Sequence, residues 1–435
     1  MATFSAYGTE LAAGNTQLLM TIASAAPPLA RHGLRRAEYI ALASLVTATI
    51  AISIDTILPA FDEISETYGL DESGLSVSLS VTLFFAALGI GNLLWGPLAD
   101  RFGRRPMMFI SLGTVVIGSV LTSFAPTFEI FLAGRVLWGI AAAGPRTIVL
   151  AITRDCYDGD AMSRIMSLTI AVFLVVPILA PGLGTLLLAL GSWRLTTLSA
   201  SVLAVIGAAW FARISETLQP NDVLPLEFGR VGRAAKAVVT TRSTALFTLA
   251  AMMTYASFIP WLGSSPTLIG DIYGFDSSFA LIFGANGLLM ALGILFIERM
   301  VRRYSTFPIV KAQVVGLIVV AVIYVVVALS FDGVPPFGVW FVLASLLLTL
   351  NSSSSPLFQS MAMGPMKAIA GTAASVTGAI VFIGGAILGS ITDSLITNTV
   401  TPFGFGFLVY GLVIAGATLA ARTAVAADDL ADDVE

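Results

Sequence analysis

Apolar runs of about 20 residues, separated by short polar breaks, recur along the whole chain. A bilayer core about 30 Å thick takes about 20 helical residues to cross. Backbone groups in lipid must pair within their own segment, so each run is expected as a helix. Twelve such runs can be placed, at about residues 38–60, 75–98, 106–125, 129–152, 165–190, 195–211, 244–268, 278–298, 307–330, 337–358, 371–392 and 403–421. Nothing alternates with the short period of a membrane barrel. The longest internal polar break, Arg213 to Arg242, contains Pro220, Asn221, Pro225 and several basic residues. It reads as a linker between two sets of six. The expected organisation is therefore a tail over 1–36, a bundle over 37–212, a linker over 213–243, a second bundle over 244–422 and an acidic tail over 423–435. Leu18 to Ala30 is mildly apolar, but Glu10 and the lack of basic residues ahead of it are unlike a signal peptide.

Composition agrees. Of 435 residues, 57% are hydrophobic and 11% charged, against about 25% charged in an average soluble domain. The mean hydropathy is +0.93. One cysteine, Cys156, excludes an intramolecular disulfide framework and a cysteine-based zinc site. One histidine, His32, precedes the first run and so reads as neither a buried proton relay nor a metal ligand. Charge is distributed asymmetrically. Among 22 Lys and Arg, Arg194 alone falls in a loop on one side, and Arg135 and Arg146 fall inside the fourth run. The others lie at loops, tails or helix ends of the opposite side, which marks that side as cytoplasmic and puts both termini there. Asp62, Glu63, Glu66, Asp71 and Glu72 make the outer side acidic.

Two segments are echoed. Asp100-Arg101-Phe102-Gly103-Arg104-Arg105 returns as Glu298-Arg299-Met300-Val301-Arg302-Arg303, and Tyr68-Gly69-Leu70-Asp71-Glu72-Ser73 returns as Tyr273-Gly274-Phe275-Asp276-Ser277-Ser278. The echoes follow corresponding runs of the two sets. Two halves related about the membrane normal are a transporter architecture that binds substrate between them, near midplane.

Charges inside a span cost about 2.5–3.5 kcal/mol each on insertion scales, so they are functional candidates. Asp55 and Arg135 fall at similar depth from the outer face, at a rise of about 1.5 Å per residue. One reading is a static ion pair that orients helices. The other is a carboxylate that gains a proton in one state and loses it in another, next to a movable guanidinium. Arg146 follows Arg135 by three helical turns and faces the same way, deeper. Asp393 is a second acidic candidate. Pro177, Pro181, Gly182 and Gly184 predict a kink, because proline removes a backbone bond and glycine permits close approach. Gly139, Gly144 and Pro145 in the fourth run similarly favour close packing. The second half is polar without charge: Asn286, Asn351, the Ser352–Ser355 run and Gln359 are candidate cavity residues. Tyr255, Phe258, Trp261 and Trp138 supply aromatic surface. A cavity so lined suits a lipophilic or weakly polar ligand, or a cation drawn to Asp55. No nucleotide-binding loop, metal cluster or nucleophile–histidine arrangement is present, so no enzyme, metal, cofactor or nucleic-acid function is expected.

Gly96-Pro97-Leu98-Ala99-Asp100-Arg101-Phe102-Gly103-Arg104-Arg105 resembles the signature loop between helices 2 and 3 of the major facilitator superfamily. Asp55-Thr56-Ile57-Leu58-Pro59-Ala60 resembles the D-x-Y-L-P-A of bicyclomycin-resistance-type drug/proton antiporters, in the twelve-helix drug efflux group. Arg135-Val136-Leu137-Trp138-Gly139 is similar to their R-x-x-Q-G, and Arg154-Asp155 and Pro177-Ile178-Leu179-Ala180-Pro181 also fit. The resemblance implies an all-α membrane fold of twelve transmembrane helices in two pseudo-symmetric six-helix bundles. It implies proton coupling through Asp55 and Arg135. It also implies a gate latch at Gly96, Asp100, Arg101, Gly103, Arg104 and Arg105, with Asp155 as partner, and an antiporter hinge at Pro177–Gly184. Thr56, Trp138 and Arg146 depart from the pattern. The expected protein is a monomer in the bacterial inner membrane that exports small molecules in exchange for protons, with the proton gradient as its energy source. The alternative is an exporter or importer of one specific metabolite.

Overall fold

The computed structural model describes residues 32–223, 225 and 228–432. Most of the expected N-terminal tail, and the side chains of the expected acidic tail, lie outside the described residues. Twelve long helices carry the chain: α1 (Arg36–Asp55), α2 (Leu79–Phe102), α3 (Arg104–Ser123), α4 (Phe128–Cys156), α5 (Gly159–Leu190), α6 (Trp193–Phe211), α7 (Arg242–Pro266), α8 (Phe279–Arg303), α9 (Thr306–Ser330), α10 (Phe337–Met363), α11 (Ala370–Asp393) and α12 (Thr401–Asp432). Eleven of the twelve are long and apolar enough to cross a membrane, and the apolar part of α5 spans Val175–Leu190. No strand occurs among the described residues.

Two departures from the expected spans matter for function. The first apolar run, expected as one helix to about residue 60, breaks at Asp55. A 3-10 turn, Leu58–Ala60, follows, and helix resumes over Phe61–Tyr68. Pro59 has no N–H to offer and disfavours helix in the residue before it. The Thr56 hydroxyl donates back to the Ile52 carbonyl at 2.7 Å, which competes with the helical pattern. Asp55 is therefore the last helical residue before a bend. Second, the basic stretch 96–105 is mostly helix. Gly96 to Phe102 completes α2, Arg104 opens α3, and Gly103 alone joins them with φ of +101°. A side chain there would be strained and would meet the Glu216 carboxylate.

In lipid the apolar effect gives little reason for one helix to prefer another, so close packing and polar contacts decide the arrangement. In the first half α2 and α3 pack on α4, α3 on α6, and α1 on α5 and α6. In the second, α7 packs on α10, α11 and α12, and α9 on α10 and α12. The halves meet along two seams, α2 with α11 and α5 with α8. Gly89 admits Ile383 at the first seam, and Gly284 and Gly287 admit Ile178 at the second. A linker helix, Phe228–Thr240, lays Ala234 and Val238 against Ala373 and Val376 of α11.

The two ends of the bundle differ in charge. One carries Asp62, Glu63, Glu66, Asp271 and Asp276 in the α1–α2 and α7–α8 connections, and is here the acidic end. The other carries Arg101, Arg104, Arg105, Arg154, Arg302 and Arg303, and is the basic end.

Candidate functional site

Between the halves lies a cavity of about 210 Å³ with a mostly apolar and aromatic wall. Asp55 enters it from the bend of α1, beside Ile50, Ala51 and Ile54. Arg146 enters from α4, Pro177 from α5, and Tyr255, Phe258 and Trp261 from α7. Among the residues proposed from sequence for the cavity, these are the ones in its wall, and Pro177 of the proposed hinge joins them. Asn92 of α2 also lines it, as do Phe85 and Phe382, which stack across the α2–α11 seam with ring centroids 6.2 Å apart. A lone asparagine in an apolar run was a usable signal that sequence reading passed over. Nothing in the pattern could have singled out the two phenylalanines among 27.

Trp138, Asn286, Asn351 and Gln359 stand elsewhere. Gln359 is on the exposed surface, bonded to Ser355 at 3.2 Å. The two asparagines are fully buried and hold helices together. Asn286 donates to Ser345 at 2.9 Å and Asn351 to the Thr254 carbonyl at 2.9 Å. Gln313 donates to Ser353 at 2.6 Å. These bonds fasten α10 to α8, α7 and α9 in turn, the glue role that polar side chains play in lipid. In the second half, polarity serves assembly more than the cavity.

Arg135 is fully buried, and its expected pair with Asp55 does not form. Its Nη1 donates to the Ser53 carbonyl at 2.8 Å, two residues before Asp55. The guanidinium lies over Phe84 at 4.5 Å and Trp138 at 5.0 Å. Cation–π contact and one charge-assisted bond hold it, while Nε and Nη2 have no acceptor. Helical geometry explains the miss: equal depth on two helices says nothing about azimuth, and this side chain faces the flank of α1 behind its bend. Asp55, 4% exposed, has no ion pair and no hydrogen bond among the described residues.

The proposed hinge residues of α5 sit where it crosses its neighbours. Pro181 and Gly184 are buried and Gly182 is exposed. Gly184 lies against the Thr56 backbone, immediately beyond Asp55, and leaves no room for a side chain.

At the basic end, Arg104 is buried between two carboxylates. It pairs with Asp100 one turn away and with Asp155 of α4 at 3.1 Å. Thr217 also donates to Asp155, at 3.0 Å. Glu216, missed in the sequence, accepts from the backbone N–H of Arg104 at 2.9 Å and of Arg105 at 3.0 Å. A carboxylate there satisfies orphan donors and complements the α3 dipole. Arg105 donates to the Ala212 carbonyl at 3.1 Å, and Arg101 is exposed. Gly96 lies by Ser375 of α11. The ion pairs of Arg104 join helices of the first half.

His32 also sits at this end, ahead of α1, and not on the surface. It is fully buried, stacked on Tyr39 with centroids 4.3 Å apart. Nδ1 accepts from the Leu34 N–H at 3.1 Å, so Nε2 carries the proton and donates to the Tyr157 hydroxyl at 2.8 Å. Burial disfavours the charged form and lowers the imidazole from 6.5 to about 4.

At the acidic end, polar contacts cross between halves. Asp393, at the end of α11, accepts from Ser264 of α7 and rests over Gly263. The Ser78 hydroxyl, before α2 in the first half, approaches the same carboxylate. The Leu58–Ala60 turn packs on α7. Asp62, Asp271 and Asp276 bring carboxylate oxygens within 4.8 Å of one another on the exposed surface. That spacing would admit a cation, and nothing else there points to a ligand.

Comparison with known proteins accounts for this architecture. The chain is 29% identical over 255 residues to an uncharacterized MFS-type transporter, YdgK, of Bacillus subtilis, covering 57% of this chain and 62% of that one. It is 25% identical over 357 residues to a bicyclomycin resistance protein homolog of Haemophilus influenzae, covering 81% and 88%. It is 26% identical over 223 residues to the multidrug resistance protein MdtL of Salmonella paratyphi C, covering 51% and 56%. The match thus spans under two thirds of YdgK and MdtL and most of the Haemophilus protein. Among solved structures, a D-xylose-proton symporter superposes with a TM-score of 0.72 at 15% identity, over 88% of this chain and 96% of that one. The profile of the Major Facilitator Superfamily matches residues 43–390. The chain is a multi-pass membrane transporter of small molecules, not an enzyme, and it belongs to the Major Facilitator Superfamily.

Proposed function

We propose that the protein is a proton-coupled antiporter that exports small, largely apolar compounds across the bacterial inner membrane. The observation that carries this is Asp55. Its carboxyl stands at a helix break, in the wall of the central cavity, with no ion pair and no hydrogen bond among the described residues. A charge on such a group is costly, and the cost changes with the water that reaches it. Its proton occupancy therefore follows which end of the cavity is open. Arg135 acts from behind, holding the α1 backbone through the Ser53 carbonyl and adding fixed positive charge near the bend.

In this reading the basic end faces the cytoplasm, as the positive-inside rule requires, and both termini lie on that side. The halves touch at the acidic end, and the cavity extends past midplane through Asn92, Arg146 and Ile294 toward the basic end. Substrate enters from the cytoplasm while Asp55 releases its proton. The halves then rock about the α2–α11 and α5–α8 seams, and proton uptake from outside accompanies substrate release. The proton gradient alone supplies the energy, and one monomer contains the complete path. Drug-resistance relatives and the apolar wall support export of varied compounds over one fixed metabolite.

The test is flux in proteoliposomes under an imposed proton gradient. Asp55→Asn is expected to abolish gradient-driven transport while leaving the thermal midpoint in detergent within a few degrees. Undiminished gradient-driven flux in that variant would falsify the coupling role.

A further inference from the structure

The cavity contains one group whose charge cannot be discharged. Arg146 is exposed into it beside Asp55, Asn92 and Tyr255 of the same wall, and among the described residues it forms no ion pair and no hydrogen bond. Elsewhere in the first half, buried or half-buried arginines are provided for: Arg104 has two carboxylates, and Arg135 has a carbonyl and two rings. A carboxyl such as Asp55 can shed its charge by taking a proton. A guanidinium stays charged at any working pH and presents a planar fork that matches an oxyanion in two bonds. Around it the wall is aromatic and aliphatic, with Phe85, Tyr255 and Phe382 nearest the α2–α11 seam.

On the reading of this cavity as the substrate site, we propose that it selects amphiphilic organic anions: one carboxylate or sulfonate on an aromatic or compact aliphatic body. Arg146 receives the anionic head, and the rings receive the body. This reverses the sequence-based expectation of a cation drawn to Asp55. A cationic ligand would bring a second positive charge to an unpaired guanidinium, and a neutral one would leave that guanidinium without a partner.

The experiment uses the full-length protein in a non-ionic detergent and three probes with one ring system and three charges: 2-naphthoate, its methyl ester and 2-naphthylmethylammonium. Binding is followed by calorimetry. The naphthoate is expected to bind at least about tenfold more tightly than either other probe. Arg146→Gln should remove that preference, bringing naphthoate affinity down to that of the ester. Arg146→Lys should retain part of it, which separates lost charge from lost fold. Equal or tighter binding of the ester or the ammonium by the native protein overturns the proposal. So does a naphthoate preference that survives Arg146→Gln, or the absence of naphthoate binding. Parallel flux measurements keep the two readings apart. Naphthoate bound selectively but not carried leaves the anion site standing and removes the transport cycle. Proton-driven export of neutral compounds with no naphthoate binding does the reverse.

Discussion

The two ends of the bundle solve different problems with similar residues. At the basic end, Arg104, Asp100, Asp155 and Glu216 tie α2, α3 and α4 of the first half and the start of the linker to one another. At the acidic end, Asp393, Ser264 and Ser78 lie on elements of both halves. One set makes a half rigid; the other links the halves. In the proposed cycle the first set would survive the rocking of the halves and the second would break.

That division can be tested, beginning with the largest expected effect. Arg104→Ala leaves two carboxylates without their shared cation in a partly buried site, where such losses reach about 3 kcal/mol. The thermal midpoint should drop by several degrees, with no change in labelling of a cysteine placed at the acidic end of a Cys156→Ser protein. Increased labelling there would show that the latch also couples the halves. Acid provides a second separation. His32 has a lower folded than unfolded pKa, so its neutral form contributes stability that is complete above about pH 6.5 and fades as pH falls toward about 4. Between pH 7 and 5 the loss is on the order of 2 kcal/mol. His32→Phe should flatten that part of the melting profile, and an unaltered slope would refute the assignment. At the acidic end, Asp393→Ala removes the carboxylate that Ser264 donates to and that the Ser78 hydroxyl approaches from the other half. Labelling at that end should quicken about tenfold, or about 1.4 kcal/mol, and an unchanged rate would mean that apolar packing alone closes it. The smallest effect is expected from Glu216→Gln, which keeps one acceptor oxygen, sets an NH2 against the other backbone N–H and loses the charge at the α3 N-terminus, about 1 kcal/mol, read as a small drop in the thermal midpoint.

Much of the fold could be read directly from run lengths, because a bilayer fixes how many apolar residues a helix needs. The basic stretch 96–105, the positions of Asp55 and Arg146, and the aromatics of α7 were legible for the same reason: each is a local exception to a strong pattern. What escaped was azimuth and partnership. Arg135 has the depth for Asp55 and the wrong direction. Asn286 and Asn351 look like cavity polarity and act as fasteners, since a buried amide in lipid binds whichever carbonyl or hydroxyl lies opposite. Glu216 sits in an unremarkable polar segment, and only the three-dimensional return of that segment to the start of α3 reveals its role. Nothing local to His32 announces two tyrosines, one 7 and the other 125 residues ahead, closing over it.

The single-residue joint at Gly103 has a mechanical consequence. A connection with two free torsions is a hinge only if both sides are free, and Glu216 grips the first amides on one side while Arg104 reaches back to Asp100 on the other. The two helices are thereby welded into one bent lever. Its long arm lies on α11, so displacement at that seam is delivered to α4 as a whole-body tilt instead of being absorbed as slack in a loop.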